Sequence, residues 1–211
     1  MHILWDWNGT LLDDTQAAFD TLNIMLRKRG AAETTMDFYR DNFAFPVRPF
    51  YEAIGVKLEA EDWDALAVEY HDIYAAQPKK LNIETTAALS AVAAAGAGQS
   101  IISALRQDLL SVAVRDEYGL GGFFEYVYGV DNLDGSSKLA RARELVGALR
   151  GRGVNDLTLI GDSLHDKEVA DELGVKCVLC SQGSHAHWRL ERVAPTEDTL
   201  LEAVKTALSG V

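Results

Sequence analysis

Apolar and polar residues are grouped along the chain in short blocks that are typical of an α/β protein. The short apolar blocks predict five β-strands, at residues 2–6, 99–103, 126–130, 157–161 and 175–179. Helix-like stretches lie between the later blocks, at residues 106–117, 138–150 and 165–173. Strands that alternate with helices form a parallel sheet with right-handed crossovers. We therefore expect a doubly wound, five-stranded parallel sheet with a Rossmann-like core, whose carboxyl edge binds ligands.

The interval between the first two strands is too long for one crossover and has the pattern of helices. TQAAFDTLNIMLRKRG carries apolar positions at helical spacing, with Thr15 as the expected N-cap and Gly30 as the stop. EDWDALAVEYHDIYAAQ is a second amphipathic helix that ends before Pro78. The predicted domains are a helical cap at residues 15–80 and an α/β core made of residues 1–14 and 81–211.

The charge balance argues against two classes of partner. The 211-residue chain has 20 basic and 32 acidic side chains, for a formal net charge of −12. Such acidity disfavours nucleic acids and anionic membranes, although a bound divalent cation can still create a local site for a phosphorylated ligand. No apolar run approaches the ~20 residues that span a bilayer. A strand is predicted almost at the first residue, with no basic region and apolar region before it, so we do not expect secretion. We expect a cytoplasmic protein, either a monomer or a homodimer.

The two cysteines, Cys177 and Cys180, form a C-x-x-C pattern with more than one interpretation. The spacing occurs in redox-active dithiols, and with His185 and His187 nearby it suggests a zinc site. GVKCVLC is, however, typical of a buried strand, where residues three apart point to opposite faces. A reactive thiolate is instead expected near a helix start. We favour two buried structural thiols.

Four groups of polar residues fall at predicted carboxyl ends of strands or at the helix starts that follow. They are Asp6 with Asn8, Ser103, Lys138 and the segment GDSLHD at residues 161–166. Each alone has an ordinary structural explanation, such as a helix N-cap or a solvated charge. Together at one sheet edge they suit phosphoryl transfer, in which a carboxylate attacks phosphorus and nearby donors hold the transferring oxygens. Because these carboxylates would repel one another, we expect the site to need a hard cation such as Mg²⁺.

The segments DWNGTLLDD, IISA, the isolated Lys138 and IGDSLHD resemble the four ordered motifs of the haloacid-dehalogenase-like hydrolase superfamily. With a helical cap after the first motif, the chain is most similar to the phosphoglycolate-phosphatase-like branch. The resemblance implies a Mg²⁺-dependent phosphatase of a small phosphorylated metabolite that acts through an aspartyl-phosphate intermediate. It does not identify the substrate.

The resemblance also implies roles for individual residues. Asp6 is implied as the nucleophile, while Ser103 and Lys138 are implied as the groups that hold phosphate. The implied metal ligands are Asp6, the backbone carbonyl of Asn8 and Asp162. Asp166 is implied to support the metal site indirectly, through the groups around the ion.

Asn8 departs from the pattern of the family. Phosphatases of this family usually carry Asp two residues after the nucleophile, where it protonates the leaving oxygen and later activates water. Asn8 has no titrating group, and general acid–base catalysis typically contributes ~10²–10⁴-fold. Two hypotheses follow: a phosphatase that favours good leaving groups, or a catalytically weakened protein that binds a phosphorylated ligand and regulates a partner. Dehalogenase chemistry is disfavoured, because the metal of the acidic loop has no role in displacing halide.

The sequence also suggests roles for several further residues in the motifs and in the cap. Arg48, between two prolines of the cap, is the candidate cation that specifies the substrate. His165 adjoins the acidic loop, either as a supporting residue or as a replacement proton donor. Asp13 and Asp14 are expected to cap the first cap helix and to form its hinge. Trp63, Leu66 and Tyr70 are expected to form an apolar stripe in the core of the cap.

Overall fold

The computed structural model describes residues 1–57, 62–131 and 138–210. In chain order, the strands are β1 (His2–Trp5), β2 (Leu12–Asp13), β3 (Lys80–Leu81), β4 (Gly98–Arg106), β5 (Tyr126–Val130), β6 (Leu157–Gly161), β7 (Lys176–Cys180) and β8 (Thr196–Glu197). A six-stranded parallel sheet has the order β5-β4-β1-β6-β7-β8, and β2 pairs with β3 in a separate antiparallel ribbon. The carboxyl end of β1 therefore lies between those of β4 and β6.

Helices cover both faces of this sheet and fill the interval between β2 and β3. In chain order they are α1 (Thr15–Lys28), α2 (Met36–Asn42), α3 (Val47–Ala53), α4 (Trp63–Ala76), α5 (Thr85–Ala94), α6 (Gln107–Val112), α7 (Leu139–Gly151), α8 (Leu164–Leu173), α9 (His187–Leu190) and α10 (Leu200–Leu208). A π-helical turn, Ala113–Glu117, continues α6, and a 3-10 turn follows at Gly121–Phe123. Within the described ranges, no helix combines the length and apolar character needed to cross a membrane.

The central strand β1 is buried along its whole length. Ile3 and Trp5 pack in the apolar cluster that includes residues of α5 and α10, whereas Leu4 packs in the cluster that includes residues of α7 and α8. Burial on both faces explains why Ile3, Leu4 and Trp5 are consecutive apolar residues rather than alternating with polar ones. A strand anchored on both sides thus holds the loop that carries Asp6.

The four helices α1–α4 share an apolar core of their own. Its buried members include Leu22, Met25, Leu26, Tyr39, Phe50 and Leu66, and Trp63 and Tyr70 pack against them. The chain enters and leaves this helical insert through β2 and β3, where Asp13 lies opposite Lys80. The division into a core of residues 1–14 and 81–211 and a mobile cap of residues 15–80 stays a prediction.

Three local features differ from the sequence expectation. The sheet has six strands rather than five, because Thr196–Glu197 adds an edge strand too short to show an apolar pattern. The ribbon of β2 and β3 was likewise not expected, since each strand has only two residues. The N-cap position of α1 is Asp14 rather than Thr15, and the Asp14 side chain makes no capping hydrogen bond. Gly30 follows α1 with a positive φ of 66°, as a helix stop requires.

Candidate active site

The loop after β1 places Asp6 at the centre of the carboxyl edge of the sheet. Its backbone N–H donates to the Ile160 carbonyl of β6 at 2.9 Å, and its side chain is buried. Ser103 lies in the neighbouring β4, Lys138 is the N-cap residue of α7, and Asp162 directly follows β6. The parallel strand order therefore brings the four sequence motifs to one edge.

Three buried carboxylates form the centre of this site. Asp6, Asp162 and Asp166 each place an oxygen within 4.8 Å of the others. Gly9 and Gly183 approach Asp162 so closely that a Cβ atom at either position would overlap its side chain. Clustered carboxylate oxygens are suitable ligands for a hard cation such as Mg²⁺. The residues present therefore fit a magnesium site.

Lys138 lies between two of these carboxylates. Its Nζ donates to Asp6 Oδ1 and to Asp166 Oδ1, the latter at 2.5 Å. Burial by itself would lower the pKa of Lys138, but the charges of Asp166 and Asp6 hold that pKa above its ordinary value. Lys138 is therefore a charged ammonium that neutralises part of the cluster.

The raised pKa values of Asp6 and Asp162 reflect burial first and an excess of negative charge second. Burial raises the pKa of Asp6 well above its ordinary value, and Lys138 offsets this only in part. Burial also raises the pKa of Asp162 to about 7, with the Asp166 charge adding to the effect. Burial acts in the same direction on Asp166, but the charge of Lys138 and hydrogen bonds from Lys138 and Ser163 hold its pKa below the ordinary value. A bound cation would relieve this excess.

The start of α8 fixes the acidic GDSLHD loop. Ser163 and Asp166 form a reciprocal capping box, in which Asp166 Oδ2 accepts from the Ser163 N–H at 3.0 Å. The same oxygen accepts from the Asp162 N–H at 3.2 Å. Asp162 Oδ2 accepts from the N–H and the hydroxyl of Ser184, both at 2.6 Å. Helix capping and the chain after β7 thus orient both carboxylates.

Asn8 is held by a buried carboxylate and a phenol. Its Nδ2 donates to Asp14 Oδ2 at 2.7 Å and to the Tyr74 hydroxyl at 3.0 Å. Tyr74 donates to the same Asp14 oxygen, and the Gly9 N–H donates to Asp14 Oδ1 at 2.6 Å. The expectation that the Asp14 side chain caps α1 is therefore wrong, because its oxygens accept hydrogen bonds from the loop after β1 instead.

This polar cluster joins the helical insert to the core, because Tyr74 belongs to α4. Burial raises the pKa of Asp14, and the hydrogen bonds from Tyr74 and Asn8 offset part of that rise. Burial and the Asp14 charge together raise the pKa of Tyr74, so its phenol is neutral at pH 7. The insert thus contacts the site through an uncharged donor.

A cavity of about 210 Å³ lies between this sheet edge and the helical insert. The sequence-predicted residues that line it are Asp6, Asn8, Ser103, Lys138 and Asp162. Asp166 does not line the cavity, and its Oδ1 accepts a hydrogen bond from the Lys138 ammonium. The remaining lining comes largely from α1–α4 and the loops between them.

The structure does not bring Arg48 to this cavity. Its exposed guanidinium lies 5.5 Å from the centre of the Trp63 ring, as in a cation–π contact. Val47, Phe50 and Tyr51 of α3 line the cavity instead, at the spacing that places residues on one helix face. Arg48 therefore falls on another face of the same short helix.

The structure also defines the surroundings of His165 and of the two cysteines. His165 lines the cavity, and its Nε2 is buried without a hydrogen-bond partner in the described part of the chain. Cys177 and Cys180 are free, buried thiols, as expected for strand residues, and burial raises the pKa of Cys180 to about 12. Among the described residues, the acidic trio is the one His, Cys, Asp or Glu group with metal-binding spacing, so a zinc site at Cys177 is not supported.

Sequence reasoning missed three contributors to the site. Thr10 Oγ1 donates to Asp6 Oδ2 at 3.4 Å, Ser184 holds Asp162, and Tyr74 holds Asn8. Ser184 follows the carboxyl end of β7, which is the same signal that identified the other motifs. Tyr74 lies in an amphipathic helix 66 residues from Asn8, and no local pattern marks that contact.

Known proteins resemble this chain in sequence or in fold. The family model described as haloacid dehalogenase-like hydrolase matches residues 3–180. A phosphoglycolate phosphatase from Caulobacter vibrioides is 30% identical over 188 residues, covering 86% of this chain and 79% of that protein. A predicted phosphatase from Clostridium acetobutylicum has a TM-score of 0.76 at 19% identity, covering 99% of this chain and 98% of the other. Protein Tyrosine Kinase A of Mycobacterium tuberculosis also has a TM-score of 0.76, at 20% identity, covering 100% of this chain and 98% of the other.

Proposed function

The chain belongs to the haloacid dehalogenase-like hydrolase family, and we propose that it is a Mg²⁺-dependent phosphatase that acts through an aspartyl-phosphate. It is a phosphoric monoester hydrolase similar to phosphoglycolate phosphatases. The proposed substrate is a small phosphorylated metabolite. The observation that carries the proposal is the convergence of Asp6, Asp162 and Lys138 on one cavity.

The proposed metal ligands are Asp6, the backbone carbonyl of Asn8 and Asp162, with Asp166 as a positioning residue. When bound, Mg²⁺ would neutralise carboxylate and phosphoryl charge as a Lewis acid. The close packing of Gly9 and Gly183 against Asp162 supports this assignment, since it leaves that carboxylate little freedom to turn away.

Asp6 is proposed to attack phosphorus through a carboxylate oxygen. The new oxygen–phosphorus bond forms as the ester P–O bond breaks, and the leaving oxygen keeps the electron pair. The Lys138 ammonium and the Ser103 hydroxyl hold the phosphoryl oxygens as charge redistributes. Water then attacks the same phosphorus, which releases inorganic phosphate and restores the carboxylate.

Asn8 has no proton to give to the leaving oxygen, so departure depends on the stability of the leaving anion. Aryl phosphates, acyl phosphates and anhydrides release such anions, whereas simple alkyl phosphates release unstable alkoxides. The proposed enzyme therefore favours good leaving groups, and water attack on the aspartyl-phosphate is slow because it lacks the usual base.

Phosphate release from a panel of esters, with and without Mg²⁺, tests this function. We expect Mg²⁺-dependent turnover that Asp6→Asn lowers by on the order of 10³-fold or more, as for other covalent nucleophiles. The matched control is Asp156→Asn, an exposed carboxylate just before the amino end of β6, which should keep normal activity. Equal activity in the two variants would contradict the proposal.

The surroundings of Asn8 favour one second candidate, a protein that binds a phosphorylated ligand with little turnover. Asn8 is fixed by Asp14 and Tyr74 and contains no titrating group. In that case calorimetry would detect Mg²⁺-dependent binding of a phosphate ester that stays intact for hours. Multiple turnovers on any ester of the panel would exclude this alternative.

A further inference from the structure

The wall of the cavity that faces the carboxylates is built mainly from rings and aliphatic side chains of the helical insert. We call it the aromatic wall; it consists of Leu22, Tyr39, Phe43, Phe45, Phe50, Tyr51, Trp63 and Tyr70. Its rings contact one another, since Phe43 stacks on Tyr39 at a centroid distance of 4.8 Å and meets Phe45 edge-on at 5.3 Å. The space next to the phosphate-holding residues is therefore a preformed hydrophobic surface.

The described residues that line this cavity carry little positive charge, and Arg48 contacts the Trp63 ring without lining the cavity. Among the described residues that line it, Lys138 is the only Lys or Arg, and Asp6 and Asp166 already flank its ammonium. Residues 58–61 and 132–137, outside the described ranges, contain no Lys, Arg or His in their sequence. A second anionic group on a substrate would therefore find no spare Lys or Arg among the described lining residues.

The polar groups of the lining are mostly uncharged. Burial raises the pKa of Tyr39 and of Tyr70 well above the ordinary value, so both phenols keep their protons. Burial also lowers the pKa of His165, which leaves its imidazole neutral at pH 7. His71 is the other imidazole of the lining, and Asp14 is a carboxylate rather than a cation. The Tyr39 and Tyr70 phenols and the His165 imidazole are polar but uncharged, so they give little compensation to a carboxylate.

We propose that the leaving group of the substrate is an aromatic ring without charged substituents, so that aryl phosphate monoesters are preferred over phosphorylated hydroxy acids. This inference rests on the proposed phosphatase function. A ring gains by burial against the aromatic wall, whereas a carboxylate there loses hydration without an ion partner. The cavity of about 210 Å³ is smaller than the ~300–1,000 Å³ of sites for drug-sized ligands, which favours one ring over a long chain.

The leaving-group chemistry leads independently to the same class. Asn8 cannot protonate a departing oxygen, and a phenolate departs without protonation more readily than an alkoxide. The aromatic wall favours a leaving group that is a ring without charged substituents. Asn8 favours a leaving group that is stable as an anion. Aryl phosphates satisfy both requirements.

Calorimetry with stable phosphonates separates this inference from the proposed function, because no turnover is needed. The probes are inorganic phosphate, benzylphosphonate and phosphonoacetate, each added to the full chain in Mg²⁺. We expect phosphate to bind, and benzylphosphonate to bind on the order of tenfold or more tighter than phosphonoacetate. If phosphate binds but phosphonoacetate binds as tightly as benzylphosphonate, only the inference is overturned. If none of the three binds, the proposed function fails with it.

Two arginine variants on α4 test where the preference originates. Ala67 lines the cavity, whereas the adjacent Val68 is exposed to solvent. Ala67→Arg should weaken benzylphosphonate binding and strengthen phosphonoacetate binding, so that the ratio of their affinities falls by at least tenfold. Val68→Arg, with the same added charge, should leave the ratio unchanged. Equal ratios in both variants would overturn the inference.

A truncation in the aromatic wall gives a test that adds no charge to the helical insert. Phe45 is half-buried and contacts the rings of Phe43 and His165. Phe45→Ala should weaken benzylphosphonate binding by roughly twofold to tenfold, as for the loss of an aromatic contact, and leave phosphate binding unchanged. An unchanged affinity for benzylphosphonate would count against the aromatic wall.

Discussion

The amide hydrogens of Asn8 are donated to Asp14 and to the Tyr74 hydroxyl. A carboxylate at position 8 would have no hydrogen to donate and would face Asp14 across the 2.7 Å that now separates Nδ2 from Oδ2. Two carboxyl groups at such a distance, one buried and the other partly buried, resist ionising together. The immediate surroundings, as well as the chemistry, therefore favour the amide at this position.

Asn8→Asp should destabilise the protein in a pH-dependent way, because one carboxyl group of the new pair must keep its proton. A folded-state pKa raised above the unfolded value means that stability is lost as pH rises toward the folded pKa. We expect the variant to lose about 1–3 kcal/mol at pH 8 and clearly less at pH 5, measured by urea unfolding. The exchange Asn8→Asp/Asp14→Asn restores one amide and one carboxylate and should recover most of the loss. Equal losses in the single and double variants would contradict this interpretation.

The same double exchange tests the proton-transfer role of position 8. It should accelerate single-turnover phosphoryl transfer from an alkyl phosphate by ~10²–10⁴-fold, and transfer from an aryl phosphate much less. Single-turnover rates are needed because slow hydrolysis of the intermediate hides the first step. If the transfer rates from both esters increase equally, or neither increases, another residue such as His165 supplies the proton.

Individual site residues could be predicted to different extents. Asp6 and Asp162 follow from strand ends, because a parallel sheet brings these positions together wherever the strands are recognised. Ser103 was found in the same way, although β4 continues beyond it to Arg106. The partner of Asp14 could not be predicted, since Tyr74 lies 60 residues away on a helix whose orientation depends on tertiary packing. Long-range hydrogen bonds of single side chains leave no periodic signal in the sequence.

At the scale of elements, the end of α2 packs against the chain that follows β7. The Arg189 guanidinium donates to the carbonyls of Arg40 and Phe43, both at 2.9 Å, and the Ala186 N–H donates to the Arg40 carbonyl at 3.1 Å. The Trp188 indole adds a hydrogen bond to Asp41 at 2.7 Å. We call these four bonds the α2 contact. It joins the helical insert to the core, as the β2–β3 ribbon does where the chain enters and leaves the insert.

Weakening the α2 contact should loosen the helical insert without unfolding the core. Arg189→Ala removes two of its hydrogen bonds, so amides of α2 and α3 should exchange hydrogen about tenfold faster while those of β1 and β6 do not change. Arg143→Ala, which removes only an exposed ion pair with Glu172, is the matched control and should exchange as the wild type does. Unchanged exchange in Arg189→Ala would show that the α2 contact does not hold the insert.

The motion of the insert itself stays a prediction, with rotation expected at residues 13–15 and near Pro78. The pairing of Asp13 with Lys80 in the β2–β3 ribbon fits that expectation, because it ties the two linkers together. The strands of four residues or more could be predicted from their apolar residues, whereas β2, β3 and β8 could not. These two-residue strands depend on their partners rather than on their own composition.

At the scale of the whole molecule, a formal charge of −12 and a buried acidic cluster make folding sensitive to cations and pH. Burial raises the pKa of Asp162 to about 7 in the metal-free protein. The contribution of Asp162 to the free energy of unfolding therefore falls as the pH rises from near 4 to near 7. This is the range between its pKa in the unfolded chain and its pKa in the folded protein. Bound Mg²⁺ reverses the balance, because it needs the ionised carboxylate.

The increase in Tm caused by Mg²⁺ should consequently be several degrees at pH 8 and small at pH 5. The difference between scans with and without Mg²⁺ is the useful quantity, because buried histidines with lowered pKa, such as His185, affect both scans alike. Asp162→Asn should abolish the increase, and Asp156→Asn should keep it. A larger increase at pH 5 than at pH 8 would contradict a carboxylate metal site.

The central claim is that Asp6 becomes phosphorylated, and trapping that intermediate tests it most directly. The full chain is mixed with an aryl phosphate and Mg²⁺, quenched in acid within one turnover, digested and sequenced by mass spectrometry. Because Asn8 supplies no base for hydrolysis, the intermediate should accumulate, with phosphate on Asp6 and none in Asp6→Asn. Phosphate on another residue, or ester hydrolysis at full rate by Asp6→Asn, would contradict the account.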